Sequence, residues 1–525
     1  MGTKNLNSAT DLITFTRASG GTALRKISYS NELVTNGNGT TTAGWTTSGN
    51  SIFTSDGSEF FVDRNGSGIT NGARQAGILT TGKLYKVTAD IISLTNTFSI
   101  YMGAGTVEAE AKFTVVGLGQ VRYVTATGAD LFIQATSTPS ATATIDNISV
   151  KEVLYDQSDG TLQLFNSPAN VPRIEYDATG AVKGLLIEEA RTNLYTTSSE
   201  TVNSGGFGIT KTSDSAVSPD GTTTADLITP DTSYDRHLFQ YSSAYSAGNG
   251  SNDTYSFYAK SNGYNLIEVS QRNMNGGSIT KFDLSAVTAT TTGGTEISKS
   301  IEDVGNGWYR CSAAYITSGV RPYPAVEFLD TDGSQGFVPD GTSGIYFWGH
   351  QLEAGSFPSS YIPTSGSSAT RAADVATIPR SSFGHNTEAS TWVVEFTPTF
   401  PSVDTNQTVL GRVGAGYDFY IWSTKANEMT AAFMNSAASP YFPITANQTS
   451  KIAVVVKNGE YLSVCVDGGS ISQNSVLSNT ITHAHPVTGW ANVDYKLGGD
   501  QLGHIKSIKY YPRRLTNTQL QELTT

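Results

Sequence analysis

DGTLQLFNSPANVPRIEYDATGAVKGLLIEEARTNLY, residues 159–195, separates two similar Gly- and Thr-rich β-segments and is built unlike either of them. Proline fixes φ and removes an amide donor, so Pro168 and Pro172 predict that NSPANVPRIEY is an extended, ordered connector rather than a sheet interior. Asp177 to Gly180, DATG, reads as a turn. Leu185, Leu186 and Ile187 form a short apolar run between Gly184 and the polar Glu188, Glu189 and Arg191, which predicts a buried strand leading into a surface turn. Paired glutamates raise the question of general acid–base chemistry. Neighbours on a strand point to opposite faces, however, so Glu188 and Glu189 should not share a site.

Working outward, the 525 residues exceed one ordinary core and imply three or four domains. Charged residues make up only 15%, against 10% aromatics and 53 glycines, a balance that favours an all-β chain with many loops over a disordered one. The net charge of −12 and pI near 5.0 disfavour a nucleic-acid partner, which needs a basic face. Cys311 and Cys465 fall in different expected domains, so no disulfide is expected. MGTKNLNSATDL lacks the apolar core of a secretory signal, and no run reaches the length of a membrane span.

The chain divides into five expected parts. Residues 1–30 form an N-terminal attachment segment in which LITFTRAS should be a strand docked on a neighbour. Residues 31–152 form a first β-sandwich, with strand candidates 84–94, 97–104, 121–135 and 142–153. In TATIDNISVKEV, strict alternation would set Ile145, Asn147 and Ser149 against Asp146, Ile148 and Val150. A connector covers 153–195. Residues 196–378 repeat the plan at larger size, with Trp308 and Trp348 as core residues and SFPSSYIPTSGSS (356–368) as a Pro- and Ser-marked exit. Residues 379–525 form the last domain. Asn458-Gly459 signals a hairpin there, Leu462, Val464 and Val466 share one face, and Thr516 with Gln519 makes a capping box for a short C-terminal helix.

VPRIEYDATGAVKGLLIEEARTNL (171–194) resembles a connector of bacteriophage structural proteins, the tail fibres, head fibres and related virion components, where it joins β-sandwich modules. ITFTRAS (13–19), VGNGWYRCS (304–312), IYFWGHQLEAGSFPSSYIPTSGSSATRAADVA (345–376) and GHIKSIKYYPRRLTNTQLQELT (503–524) are similar to further landmarks of the same proteins, in the same order. The first module is similar to carbohydrate-binding jelly rolls, and the last to laminin-G-like or concanavalin-like sandwiches. The resemblance implies an all-β fold of tandem jelly-roll sandwiches followed by a concanavalin-like domain. It also implies a virion component and brings no catalytic motif.

In such jelly rolls a last-strand aspartate often helps to hold a structural calcium, and Asp146 stands in a comparable place. An aspartate there also serves to cap a turn or accept from a neighbouring amide, and calcium needs six to eight oxygens. No other cofactor is expected. His483-Ala-His485 is the remaining metal candidate, although no third ligand accompanies it, and His237, His350, His385 and His504 stand alone. Sugar binding asks for an exposed ring that stacks on a pyranose face, and Trp490, Tyr441 and Trp45 lie in loop-like contexts, whereas Trp422 reads as a strand residue. Local motifs of serine hydrolases, P-loops, metalloproteases and dinucleotide enzymes are absent, and so is the regular coil repeat of a β-helical depolymerase. The expectation is a non-enzymatic virion protein on a capsid or tail surface. It would be a homo-oligomer, a trimer by preference, docked on other virion proteins through its N-terminal part and presenting lectin-like modules to host glycans. The alternative is a polysaccharide-cleaving tailspike or a secreted glycan-active enzyme, whose carboxylates carry no local motif.

Overall fold

A computed structural model describes residues 13–65, 71–103, 109–136, 140–199, 206–240, 249–272, 279–293, 296–318, 323–379, 383, 386, 389–399, 407–412, 420–425, 428–433, 437–438, 441–457, 462–474, 495–497 and 503–525. These residues are strands and turns except for one helix, Asn517–Thr524. They form two compact units, one of residues 26–161 and one of residues 1–25 with 162–525. The expected first sandwich lies in the smaller unit. The expected second sandwich and last domain both lie in the larger.

In the smaller unit, one sheet runs Ile52–Ser55, Phe60–Asp63, Thr142–Tyr155, Leu84–Leu94, Gly117–Thr125. The facing sheet runs Thr46–Ser48, Gly72–Gln75, Leu131–Thr136, Thr97–Met102, Glu110–Phe113. Period-2 alternation sends Tyr85, Val87, Ala89 and Ile91 inward against Phe98, Ile100, Ile133 and Phe113. Thr142–Tyr155 departs from strict alternation. Its register against Leu84–Leu94 shifts between Asp146 and Ser149, and Asn147 sits at φ 49°. That bulge puts Ile145, Ile148 and Val150 all in the core and leaves Asn147 exposed, which overturns the simple alternation.

The larger unit repeats this strand order. One sheet runs Ile209–Val217, Thr223–Pro230, Gly344–Ala354, Asn249–Asn262, Trp308–Ser318, Glu296–Gly305. Its partner runs Gly206–Phe207, Leu238–Gln240, Tyr323–Phe328, Leu266–Arg272, Ile279–Asp283, Thr288–Thr292. Two modules of one plan are therefore visible in the topology itself. Phe257, Phe282, Phe347, Ile267 and Val326 fill the space between the sheets. Trp308 and Trp348 are buried on the opposite side of the first sheet with Tyr258, Tyr361 and Leu164. Their indole N–H groups donate to Val217 O and Thr224 Oγ1 at 3.1 and 3.0 Å.

The last sandwich draws strands from three separate parts of the chain. Ile174–Tyr176 and Val182–Ile187, within the expected connector, join Gly503–Tyr511, Ala389–Pro398, Ser450–Lys457, Leu462–Val466 and Ser472–Asn474 in one sheet. Thr14–Thr16, from the N-terminal segment, lies at the end of the other beside Val375–Ile378. Phe15, Leu185 and Ile187 enter a core with Trp392, Val394, Phe396 and Ile505. The apolar run at 185–187 is thus a buried strand; of the residues after it, Glu188 is buried, Glu189 half-buried and Ala190 exposed, with no turn formed. The turn before it is as expected, with Asp177 Oδ1 accepting from the amides of Thr179 and Ala181 at 2.9 and 3.0 Å. Gly184 is needed because its φ is 130° and a Cβ there would come within 2.6 Å of Ile505 O. Gly184→Ala is expected to cost about 2–3 kcal/mol, read as a lower urea midpoint of the whole chain.

The helix begins with the expected box. Thr516 Oγ1 accepts from Gln519 N at 3.3 Å, and Gln519 Oε1 accepts from Thr516 N at 3.0 Å. Leu515 and Leu520 pack with Val393, Ala453, Val455 and Cys465 beneath the sheet. Leu462 and Val464 face the inter-sheet core, and Cys465 faces the helix. Cys311 and Cys465 are both buried and free. Asn458-Gly459 lies outside the described residues, and no described helix is long and apolar enough to cross a membrane.

Candidate functional site: a buried ionic joint

Five charged residues from three distant parts of the larger unit meet where its strands end. Arg17 follows Thr14–Thr16, Arg173 precedes Ile174–Tyr176, and Glu188 follows Val182–Ile187. Arg371 closes Ala369–Arg371, and Asp374 precedes Val375–Ile378. All five are buried to within 3% of full burial. Arg173 Nη1 reaches Glu188 Oε2 at 2.6 Å, while its Nη2 meets Asp374 Oδ2. Arg17 Nη1 lies 3.1 Å from Asp374 Oδ1, and Arg371 Nε lies 3.5 Å from Glu188 Oε2. The backbone closes the circuit, with Asp374 N donating to Glu188 O at 2.8 Å and Glu188 N donating to Asp374 Oδ2 at 2.9 Å.

The remaining polar capacity is largely taken by main chain and serine. Arg17 donates to Pro168 O and Ser19 O, each at 2.8 Å, and Arg173 donates to Thr22 O at 2.9 Å. Arg25 extends the set, donating to Ser167 Oγ at 2.9 Å and Pro172 O at 3.0 Å. Within 356–368, expected as a Pro- and Ser-marked exit, residues 357–362 are buried, and two of the serines there serve glutamates. Ser360 donates to Glu188 through N and Oγ at 2.7 and 2.6 Å, and Ser359 donates through Oγ to Glu353 at 2.5 Å. Burial works against the Glu188 carboxylate, but Arg371, Arg173 and the Ser360 donors prevail and hold it at about 2. Glu353 lies above the usual range because burial dominates its environment.

A second polar chain lies in the same unit. Lys183 Nζ is 2.8 Å from Glu302 Oε1 and 3.4 Å from Glu175 Oε2, and Glu175 also meets His504 Nε2. His504 therefore does not stand alone, since Val182–Ile187 pairs with Gly503–Tyr511 and brings it to the connector. His237 and His350 are buried as well, with His237 Nδ1 2.7 Å from Gly208 O and His350 stacked on Tyr195 at 4.7 Å.

Chemically, this joint is a fastener. Its buried carboxylates face arginines and serine donors. Glu188 lies inside it, whereas Glu189 points away to Arg191 at 2.6 Å, so the two glutamates do not share a site.

The sequence-proposed ligand residues lie elsewhere. Trp45 packs at the edge of the first core against Phe53 and Phe60, with centroids at 5.6 and 5.9 Å, and its Nε1 donates to Asn36 O. Tyr441 is exposed, and Trp422 lies in the strand Tyr420–Lys425. Trp490, His483, His485 and His385 lie outside the described residues. Asp146 stands directly across from Asp90, whose Oδ2 accepts from Asn147 Nδ2 at 2.8 Å. No group of three or more His, Cys, Asp or Glu suited to a metal forms among the described residues.

No family model matches the chain, and no curated protein does. Among solved structures, the tandem CBM22-1–CBM22-2 domain of Paenibacillus barcinonensis Xyn10C aligns at 12% identity over 64% of this chain and 98% of its own, with a TM-score of 0.21. Domains LG4-5 of the mouse laminin α1 chain align at 11% identity over 55% and 91%, with a TM-score of 0.17. Trypanosoma rangeli sialidase in complex with 2,3-difluorosialic acid aligns at 11% identity over 91% and 83%, with a TM-score of 0.23. The chain is an all-β protein of β-sandwich modules, as its own sheets establish.

Proposed function

We propose that this chain is a non-enzymatic structural protein of a bacteriophage particle, a fibre or surface decoration that carries lectin-like modules for attachment to host glycans. The observation that carries the reading is the buried joint. Within the larger unit it fastens the N-terminal segment, the connector and the exit of the second sandwich in one ion cluster, as suits a rigid structural part. The landmarks that resemble phage connectors supply Arg17, Arg173, Glu188, Arg371 and Asp374. Residues 13–29 are engaged within the chain, so docking on other virion proteins through the N-terminal part falls to residues other than these. The assembly is a homo-oligomer, a trimer by preference, and a monomer by light scattering at micromolar concentration would count against it. Gold-labelled antibody against residues 379–525 on intact particles tests the whole reading. Label on the capsid or the tail supports it, and bare particles sink it.

A polysaccharide-cleaving enzyme is the second reading, and one pair of residues favours it. Glu268 and Glu327 lie directly opposite on adjacent strands. Burial raises Glu268, while Glu327 is held by two hydrogen bonds from Arg236. Facing carboxylates, one of them raised by burial, are the groups that glycoside hydrolysis uses. Both carboxylates are buried, however, and Gln335 Nε2 donates to Glu268 Oε1 at 2.5 Å. The chain is expected to release no reducing ends from capsular polysaccharide. Release that disappears in Glu268→Gln would establish the enzyme instead.

A further inference from the structure

The outer face of the smaller unit's first sheet carries an arrangement that the attachment reading does not use. Tyr123, Lys86 and Lys151 stand in one row across three strands, Tyr123 opposite Lys86 and Lys86 opposite Lys151. Tyr29 lies over this row. Its ring centroid is 4.9 Å from Lys86 Nζ, and its hydroxyl is 3.1 Å from that of Tyr123. Tyr123 is 39% exposed.

Two features of the row point outward. Like charges directly opposite on neighbouring strands destabilise a sheet. Among the described residues no carboxylate pairs with Lys86 or Lys151, and the nearest in sequence, Glu152, is 3.1 Å from Lys83 Nζ instead. Burial and then Lys151 lower the Lys86 pKa, as expected of a cation that lacks an anion. The two tyrosines add hydroxyl donors and ring surface beside the cations, of the kind that meets the apolar face of a sugar ring.

The geometry points to a binding site for an acidic glycan on this face, with Lys86 and Lys151 facing a sugar carboxylate or sulfate and Tyr29 and Tyr123 forming the platform for the ring. The site rests on the attachment reading for its purpose and names the ligand class. The chain's charge of −12 opposes long polyanions in general, so a short match of sugar ring and charge is favoured over bulk attraction.

The test is calorimetric titration of the full chain with three acidic oligosaccharides: hexagalacturonate, a sialic acid hexamer and a heparin-derived hexasaccharide. Maltohexaose and a single-stranded oligonucleotide serve as controls. Binding of at least one acidic sugar and neither control is expected, weakening with added salt. Tyr123→Ala and Lys151→Gln should each loosen it by about tenfold or more. Both positions are on the outer face, and unchanged circular dichroism would show that the fold persists. Full binding in both variants would overturn the site while leaving glycan attachment standing. Failure of all three acidic sugars would overturn the site without touching particle location, which the antibody label reads independently. Equal binding of the oligonucleotide would overturn the glycan assignment.

Discussion

Asp374→Ala is expected to lower the stability of the larger unit by about 3–5 kcal/mol, far more than Arg371→Met at the same joint, which should cost less than about 2 kcal/mol. The difference follows from charge. The cluster holds the guanidiniums of Arg17, Arg173 and Arg371 against the carboxylates of Glu188 and Asp374, a surplus of one positive charge. Removing Asp374 doubles that surplus in a water-excluded place. It strips an acceptor from Arg17 and Arg173 and leaves the Glu188 amide without its carboxylate oxygen. Removing Arg371 instead balances the charges and leaves both carboxylates with arginine partners. The surplus already tells on the arginines. Arg371 and Arg17 lie below their ordinary values, by burial first and with Arg173 repelling both, while Arg173, nearest both carboxylates, lies above its own although burial opposes this. Urea titration of the full chain gives the two losses, and hydrogen exchange should place new opening in peptides around 182–193 and 369–378. Equal costs for the two variants would show that charge balance does not govern the joint.

What the sequence made legible were features set by near neighbours. Alternation marked the strands, the Thr516 box marked the helix, and apolar context marked Trp308 and Trp348 as core. The joint was not legible, because Arg17 and Asp374 lie 357 residues apart and only the closed sheets bring them together. One signal did exist. Thr-Arg-Ala occurs at 16–18 and again at 370–372, and both arginines enter the cluster. In the exit at 356–368, tertiary partners decide burial where composition does not. Serine and proline ordinarily mark exposed loops, but here Ser359 and Ser360 are buried because Glu353 and Glu188 need their hydroxyls. Of the aromatic residues read in loop-like contexts, Trp45 packs at a core edge and Tyr441 is exposed.

Acid should undo the joint before it undoes the sandwich cores. Glu188 is held at about 2 in the folded chain, well below the roughly 4.3 of an unfolded glutamate. A depressed carboxylate contributes stability that is present above its unfolded value and is lost as pH falls through the folded one. The loss from Glu188 therefore runs from about pH 4.5 down to about 2 and amounts to something on the order of 3 kcal/mol. Glu175 adds to it in the same direction, since Lys183 and then His504 outweigh its burial and hold it low. Glu353 and Glu268, both raised by burial, have the opposite sign and give back a part of their own contribution as pH climbs above the ordinary glutamate range. The urea midpoint of the full chain should accordingly fall steeply below pH 4.5 and show at most a shallow decline above it. Glu188→Gln keeps the shape of the side chain but does not titrate. It should begin less stable at pH 7 and lose less on acidification, so that the two curves converge towards pH 2. Parallel curves from pH 7 to pH 2 would remove Glu188 from the account. Convergence would mean that the fastening of the N-terminal segment and connector to the second sandwich is an acid-sensitive part of the protein, with the Glu188 carboxylate as its titrating group.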